Sequence, residues 1–345
     1  MLQPSLNQAI PQHLLLICED KMKKAILVLA SLLFAVNAHA TKPVTADDGP
    51  SSESCGGLKF ATGPKDKGYS SLYANIKDVC MPRQVTCESR TTGGLANLTT
   101  LANKKADVGL VQIDTLRDMS AGNDAIAALQ VVATMNFNYL HVLTATQGYK
   151  YDAGHTWYGL KNDPAVVVIR KFSDLKGRTV ALVGTAQILG QALAQRQLKD
   201  YGLKFEYPKD DKEALEWVKT GRVQALFTVS GAPFSFIEAL KMTDGLSLVP
   251  FDEDFGSQTQ YQVRKITYSN IGAYGIKALA VQNLLVARDF GTEKAQQVQN
   301  LKQCLVDNLQ KLKDGEYEAA WNEMKLDQNA SDVPKFVAPA TKRSK

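Results

Sequence analysis

Histidine is scarce, four residues in 345, and beyond residue 40 only His141 and His155 remain. A histidine-rich metal site is thereby excluded, and the cysteine spacing offers no compact zinc site instead; no metal and no cofactor are expected. The same shortage argues against a cysteine–histidine nucleophile. Ser230 follows a predicted strand in VSGAP, but it has no histidine partner, since His155 lies in an irregular stretch and His141 opens a strand. No G-x-x-x-x-G-K-[ST] loop occurs, GTAQILG over Gly184–Gly190 lacks the G-x-G-x-x-G spacing, and there is no G-x-S-x-G elbow. Nor is there a basic block. The net charge of +5 at pH 7 is spread along the chain, and only the tail with Lys342, Arg343 and Lys345 is locally basic, so nucleic acid is not an expected partner. Asp107 and Asp114 flank one strand, but paired carboxylates are common by chance, and the reading is binding rather than catalysis.

Long apolar runs are missing too. The most conspicuous, Ala25–Val36, is about 12 residues and spans ~18 Å as a helix, short of a ~30 Å hydrocarbon core. Lys23 and Lys24 precede it and Ala38, His39 and Ala40 follow it, which together read as a signal peptide starting at Met22 and cleaved after Ala40. Export to the periplasm is therefore expected. No cysteine closely follows Ala40, so a lipid anchor is not supported. Cys55, Cys80, Cys87 and Cys304 form an even set beyond the cleavage point, which in an oxidising compartment predicts two disulfides. Cys80–Cys87 closing a short loop, with Cys55–Cys304 tying the first strand to a C-terminal helix, is the preferred pairing among the alternatives.

Between these landmarks short strands alternate with amphipathic helices, the α/β signature. Strands are predicted at Leu58–Thr62, Gln84–Glu88, Ala106–Gln112 and Leu140–Thr144, with helices at Tyr69–Val79 and Leu95–Lys104; Ile126–Met135 is a helix end or a strand. An aromatic, glycine-rich stretch, Gly148–Pro164, breaks the rhythm. A second unit follows, with a turn and then a strand within Phe172–Gly184, a strand at Val223–Val229 and a long helix over Ala186–Tyr201. Tyr261–Val286 is mostly extended, and Thr292–Lys313 is helical with Ala295, Val298, Leu301, Leu305 and Leu309 as its apolar stripe.

Four turns follow predicted strands: Gly63 to Tyr69, Thr91-Thr92-Gly93-Gly94, Gly184-Thr185-Ala186-Gln187, and Ser230-Gly231 with Ala232 and Pro233. Ligands of open α/β sheets lie beyond the carboxyl ends of strands, where turn N–H groups and helix N-termini favour anionic or strongly polar groups. Each turn alone reads as an ordinary helix cap; four in two successive units point to a cleft between lobes. Gln112 and Gln187 would add amide bonds, and Asp114 either binds an ammonium group or caps a helix. Phe137, Tyr139, Tyr149, Tyr151, Trp157 and Tyr158 form either a satellite core or an apolar cleft wall. Arg83, Arg90, Arg117 and Arg264 are unranked candidates for a carboxylate partner.

The order of landmarks resembles the TAXI family, solute-binding proteins of tripartite ATP-independent periplasmic (TRAP) transporters. The resemblance rests on TTGGLANLTTLANKKADVGLVQIDTL (Thr91–Leu116), FSDLKGRTVALVGTAQILGQALAQRQLKDYGL (Phe172–Leu203) and ALAVQNLLVARDF (Ala278–Phe290), and covers roughly Leu58–Trp321. It implies a two-lobed type II periplasmic binding protein fold, each lobe a mixed sheet flanked by helices. Lobe 1 would comprise 41–150 and 255–345 and lobe 2 151–254, joined by extended crossovers near Leu140–Pro164 and Phe251–Ala273. It implies capture of a small organic anion or amino-acid-like ligand by a monomer that hands it to membrane transporter subunits. By position it implies ligand-lining roles for Gly63, Tyr69, Thr91 to Gly94, Gln112, Asp114 and Gly184 to Gln187; Ser230 and Gly231 come from the turn argument, and Phe137 and Tyr139 from the aromatic one. Two stretches depart from the family pattern: the charges Lys65, Asp66 and Lys67 in the first turn, and the Gly148–Pro164 insertion. They keep open a hydrophobic or lipid-like cargo, or a sensor module of the same fold.

Overall fold

The computed structural model describes residues 56–337, apart from 66, 81–86, 151–155, 158–159, 162–165, 256–259, 291 and 331. The export signal over Met22–Ala40, Cys55, Arg83, Asp66 and much of the 148–164 insertion lie outside the described residues.

The chain opens with β1 (Lys59–Ala61), α1 (Gly68–Cys80), β2 (Cys87–Ser89), α2 (Gly94–Ala102) and β3 (Val108–Gln112). Both neighbours of β1 run parallel to it, as helical crossovers require. Gly109 in β3 is needed for packing: a Cβ there would lie 3.1 Å from the Ala61 Cβ and 3.2 Å from Leu101 on α2. Helices α3 (Ile113–Ser120) and α4 (Asp124–Ala127) lead into β4 (Gln130–Ala145), buried along almost its whole length. Two short pairings follow, β5 (Tyr149–Lys150) with β8 (Val166–Val167), and β6 (Thr156–Trp157) with β7 (Leu160–Lys161).

The second unit holds β9 (Thr179–Leu182), α5 (Ala186–Gln195), β10 (Lys204–Glu206), α6 (Asp211–Lys219), β11 (Ala225–Ser230), α7 (Ser235–Glu238) and β12 (Leu246–Leu248). Helix α6 shows the local logic. Asp210 caps it through Oδ1 on the Glu213 N–H at 2.8 Å, and Ala214, Leu215 and Val218 form its buried stripe. The chain ends with β13 (Tyr261–Tyr268), β14 (Ala273–Ala287), α8 (Thr292–Asp307) and α9 (Leu309–Asp314).

The main path of the ten-stranded sheet, β10-β9-β11-β4-β14-β3-β1-β2, with β12 added on β4 and β13 on β14, is the same arrangement twice. In each half a parallel trio ordered second-first-third (β2-β1-β3, β10-β9-β11) meets an antiparallel long strand. This is the two-lobed α/β architecture of type II binding folds. The long strands β4 and β14 belong to both halves. β4 pairs through Gln130–Thr134 with the end of β14, and through Leu140 with Leu279 further on. The passages shared by both halves are 130–145 and 273–287. Asn136 and Asn138 interrupt an apolar run, and in sequence they look like a gap between two elements rather than the middle of one strand.

Neither the expected Cys80–Cys87 bond nor the expected Cys55–Cys304 bond forms. Cys80, at the end of α1, is bonded to Cys304 on α8 across 224 residues, and Cys87 is itself disulfide-bonded. Helix packing decides this: α1 and α8 lie against one core with Ile76, Val298, Leu301 and Leu305. The long helix expected over Ala186–Tyr201 stops at Gln195, where Arg196 leaves helical geometry (φ −114°, ψ −82°), and resumes only as a 3-10 turn at Lys199–Tyr201.

Candidate functional site

The carboxyl ends of the strands converge where β4 and β14 cross between the halves. Asn136 and Asn138 on β4 and Asn283 on β14 are buried there. The Asn283 Nδ2 donates to Asn138 Oδ1 at 2.9 Å and to Asn136 Oδ1 at 3.2 Å. Its Oδ1 accepts from the Tyr69 hydroxyl at 2.8 Å. Tyr69 comes from the first turn of α1, beside the turn at Gly63, where a Cβ would lie 3.6 Å from the Tyr69 Cβ. Burial first, then the nearby Asp114 carboxyl, holds the Tyr69 phenol protonated far above its usual range. The Gln112 amide, at the end of β3 and 1% exposed, borders this group beside Gly94, and its Nε2 has no hydrogen-bond partner. A Cβ at Gly231, after β11, would lie 3.7 Å from the Asn136 Nδ2.

Two turns from opposite halves meet at the same place. Gly93 has φ of +128°, which favours glycine, and a Cβ there would sit 4.0 Å from Thr185 Cγ2. The N-terminus of α2 therefore faces that of α5. Thr91 is occupied in bracing its own turn: its Oγ1 lies 2.8 Å from the Thr62 carbonyl and accepts the Gly93 N–H at 3.0 Å. Thr92 is exposed beside it, Gly184 takes φ of +56°, and Ala186 is buried at the start of α5 with Gln187 following. Ser230 ends β11 opposite Tyr139.

Asp114 sits in the first turn of α3, 1% exposed. Its Oδ1 accepts the Thr115 N–H at 2.7 Å and its Oδ2 accepts the Tyr261 hydroxyl at 3.3 Å. Burial, set against the Thr115 bonds, pushes its pKa up to about 6. A carboxyl whose folded pKa exceeds its unfolded ~3.9 binds more protons when folded, so it lowers stability as pH rises from 4 to 6. Asp114→Asn is therefore expected to raise unfolding stability at pH 7 by about 2 kcal/mol and to flatten the profile between pH 4 and 6. Urea titrations across that range read it, and an unchanged slope would refute it.

Phe137 and Tyr139 point the other way, as pleat alternation from Asn136 and Asn138 requires. Phe137 lies 4.2 Å beneath the Arg264 guanidinium, and the Tyr139 hydroxyl bonds Glu323. These two are not brought to the amide cluster. His141 is a core residue, its Nε2 2.8 Å from the Tyr268 hydroxyl and its pKa driven down to about 3 by burial. Arg90 pairs with Glu88, Arg117 with Asp332 and Arg264 with Glu323, so none of these three is bonded to the amide cluster. Among the described residues no group of three or more His, Cys, Asp or Glu is placed to hold a metal. Asn136, Asn138, Asn283 and Tyr261 were not singled out in the sequence; amides inside buried strands (MNFN, VQNL) were the available signal.

A family model described as the NMT1-like family matches residues 60–343. No curated protein matches the chain. Among solved structures, the chain is similar to an amino acid ABC transporter substrate-binding protein, AbpA, from Streptococcus pneumoniae bound to L-arginine. That match has 11% identity, covers 78% of this chain and 95% of that one, and has a TM-score of 0.46. It is also similar to an arginine transport-system periplasmic binding protein from Legionella pneumophila (10% identity, 78% and 99% covered, TM-score 0.41). A third likeness is to the protein Tv2483 bound to L-arginine (11% identity, 78% and 92% covered, TM-score 0.48).

Proposed function

This chain belongs to the NMT1-like family, and we propose that it is a periplasmic receptor that reversibly captures a small amino-acid-like solute between its two lobes. One observation carries the reading: the N-termini of α2 and α5, from opposite halves, meet at Gly93 and Thr185 beside an enclosed amide cluster. Helix N-termini supply N–H donors and a favourable dipole for a ligand carboxylate. Gln112 supplies a buried donor that has no internal partner, and Asp114 a carboxyl for an ammonium group. The chemistry is capture: the ligand shifts the population toward the closed form, which a membrane partner then recognises. The partner we propose is a tripartite ATP-independent transporter, which the TTGG and GTAQ landmarks support.

Native mass spectrometry of protein purified from periplasm without refolding tests the class. A released amino-acid-sized mass supports the reading, and a lipid-sized mass replaces it with hydrophobic cargo. Gln112→Met then tests the site. Its Nε2 has no partner to lose, so thermal stability is expected to hold while the affinity for the released solute falls about tenfold or more, the loss of one buried hydrogen bond to a charged group. Unchanged affinity would remove Gln112 from the site.

A further inference from the structure

Helices α3 and α5 begin at the candidate site and meet again at their far ends. Helix α3 follows Gln112 directly, and α5 follows Thr185. Asp118 lies in the last turn of α3, and Arg196 is the residue that closes α5. The Arg196 Nη2 donates to Asp118 Oδ1 at 2.6 Å. The pair lines an open crevice of about 300 Å³ together with Arg117, Ile188, Gln191 and Gln195.

The two partners belong to different halves. Helix α3 is fixed to the first: Asp114 accepts from Tyr261, and Arg117, in the crevice wall, bonds Asp332 and Gln260. The C-terminal segment carrying Asp332 bonds β4 at Val131. Helix α5 packs on β9 and β11 through Leu189 and Leu193 in the second unit. A second contact also crosses between the halves: Lys67, from the charged turn before α1, stands 5.8 Å over the Phe234 ring beyond β11.

We propose that Asp118–Arg196 is a latch: an ion pair between the lobes, made when they are shut over the site and broken when they part. It biases the ligand-free protein toward the closed form without contacting the ligand. The Asp118 side chain is 21% exposed and that of Arg196 54%. Partly exposed pairs are weak, so the latch tunes the closed population about two- to fivefold rather than locking it. That strength suits a receptor, whose cleft must reopen to load and release.

Amide hydrogen exchange on the full chain without ligand tests this, so the outcome does not depend on what the site binds. The amides of Gly94–Leu98 and Ala186–Gly190 line the two facing helix starts and exchange when the lobes part. Asp118→Asn and Arg196→Gln are each expected to speed exchange at both segments about two- to fivefold. The double variant should match the singles, and the swap Asp118→Arg with Arg196→Asp should restore the slow rate. High salt should speed the parent and leave the variants unchanged. Unchanged exchange in both single variants would overturn the latch. So would an equal rise at Val298–Leu305, which would report general destabilisation instead.

Discussion

Asp107→Ala is expected to lower unfolding stability by about 3 kcal/mol or more. The carboxylate is 2% exposed and joins four parts of the first lobe. Its Oδ1 accepts from the Arg288 Nη2 at 2.7 Å and Nε at 3.2 Å, at the end of β14. Its Oδ2 accepts from the Lys294 Nζ at 2.7 Å, on α8, and from the Lys59 N–H at 2.9 Å, at the start of β1. Burial alone would raise the Asp107 pKa, but Lys294, the Lys59 N–H and Arg288 together hold it below the usual carboxylate range. Removing the carboxylate leaves two cations and an N–H around an empty position. Lys294 and Arg288 are 39% and 20% exposed at the side chain and regain some water, which places the loss toward the lower end of the range for a broken buried pair. Because the folded pKa is depressed, the contribution is complete above the unfolded ~3.9 and disappears as pH falls through the lower folded value. Urea unfolding at pH 7 and at pH 3 therefore separates the two: the difference between parent and variant should shrink in acid. A loss under about 1 kcal/mol at pH 7, the range of an exposed pair, would show that the pair is not structural.

Asn283→Ala should cost about 3 kcal/mol and abolish ligand capture. One side chain there meets three others. Asn136 and Asn138 each lose a donor to an amide oxygen, and the Tyr69 hydroxyl loses its 2.8 Å acceptor. All lie where water is largely excluded, and each buried polar group left unsatisfied costs about 1–3 kcal/mol. The losses are not additive, because the released groups can re-pair partly with one another. Asn283→Leu fills the volume but leaves the same three groups unpaired, so a loss close to that of Asn283→Ala assigns the cost to the hydrogen bonds rather than to a cavity. If both variants bind as the parent does, the amide cluster is only scaffold.

Much of the architecture is legible along the chain because it is local. ADVGLVQ gives β3 and ALAVQNLLVA the end of β14, and the stripe Val298, Leu301, Leu305 gives α8, since periods of two and 3.6 are written in neighbouring residues. The paired turns at Gly93 and Thr185 are visible for the same reason. The amide cluster is not. Asn283 and Asn138 are 145 residues apart, and nothing local says that β14 will lie beside β4 in that register. Phe137 and Tyr139 show the complementary failure. Their aromatic character is plain in the sequence, but which face they take depends on parity relative to Asn136 within a strand whose continuity is itself hidden. A side chain's face is decided by the partner strand, not by the residue.

The Cys80–Cys304 bond has a consequence in time. A chain emerging from its N-terminus presents Cys80 and Cys87 almost together, whereas Cys304 arrives 224 residues after Cys80. If Cys80 and Cys87 pair first, the native bond is reached by attack of the Cys304 thiolate on Cys80, which releases Cys87. Maturation by that route is correction as much as oxidation, and its expected signature is a yield that falls when an isomerase is withheld while oxidant is plentiful.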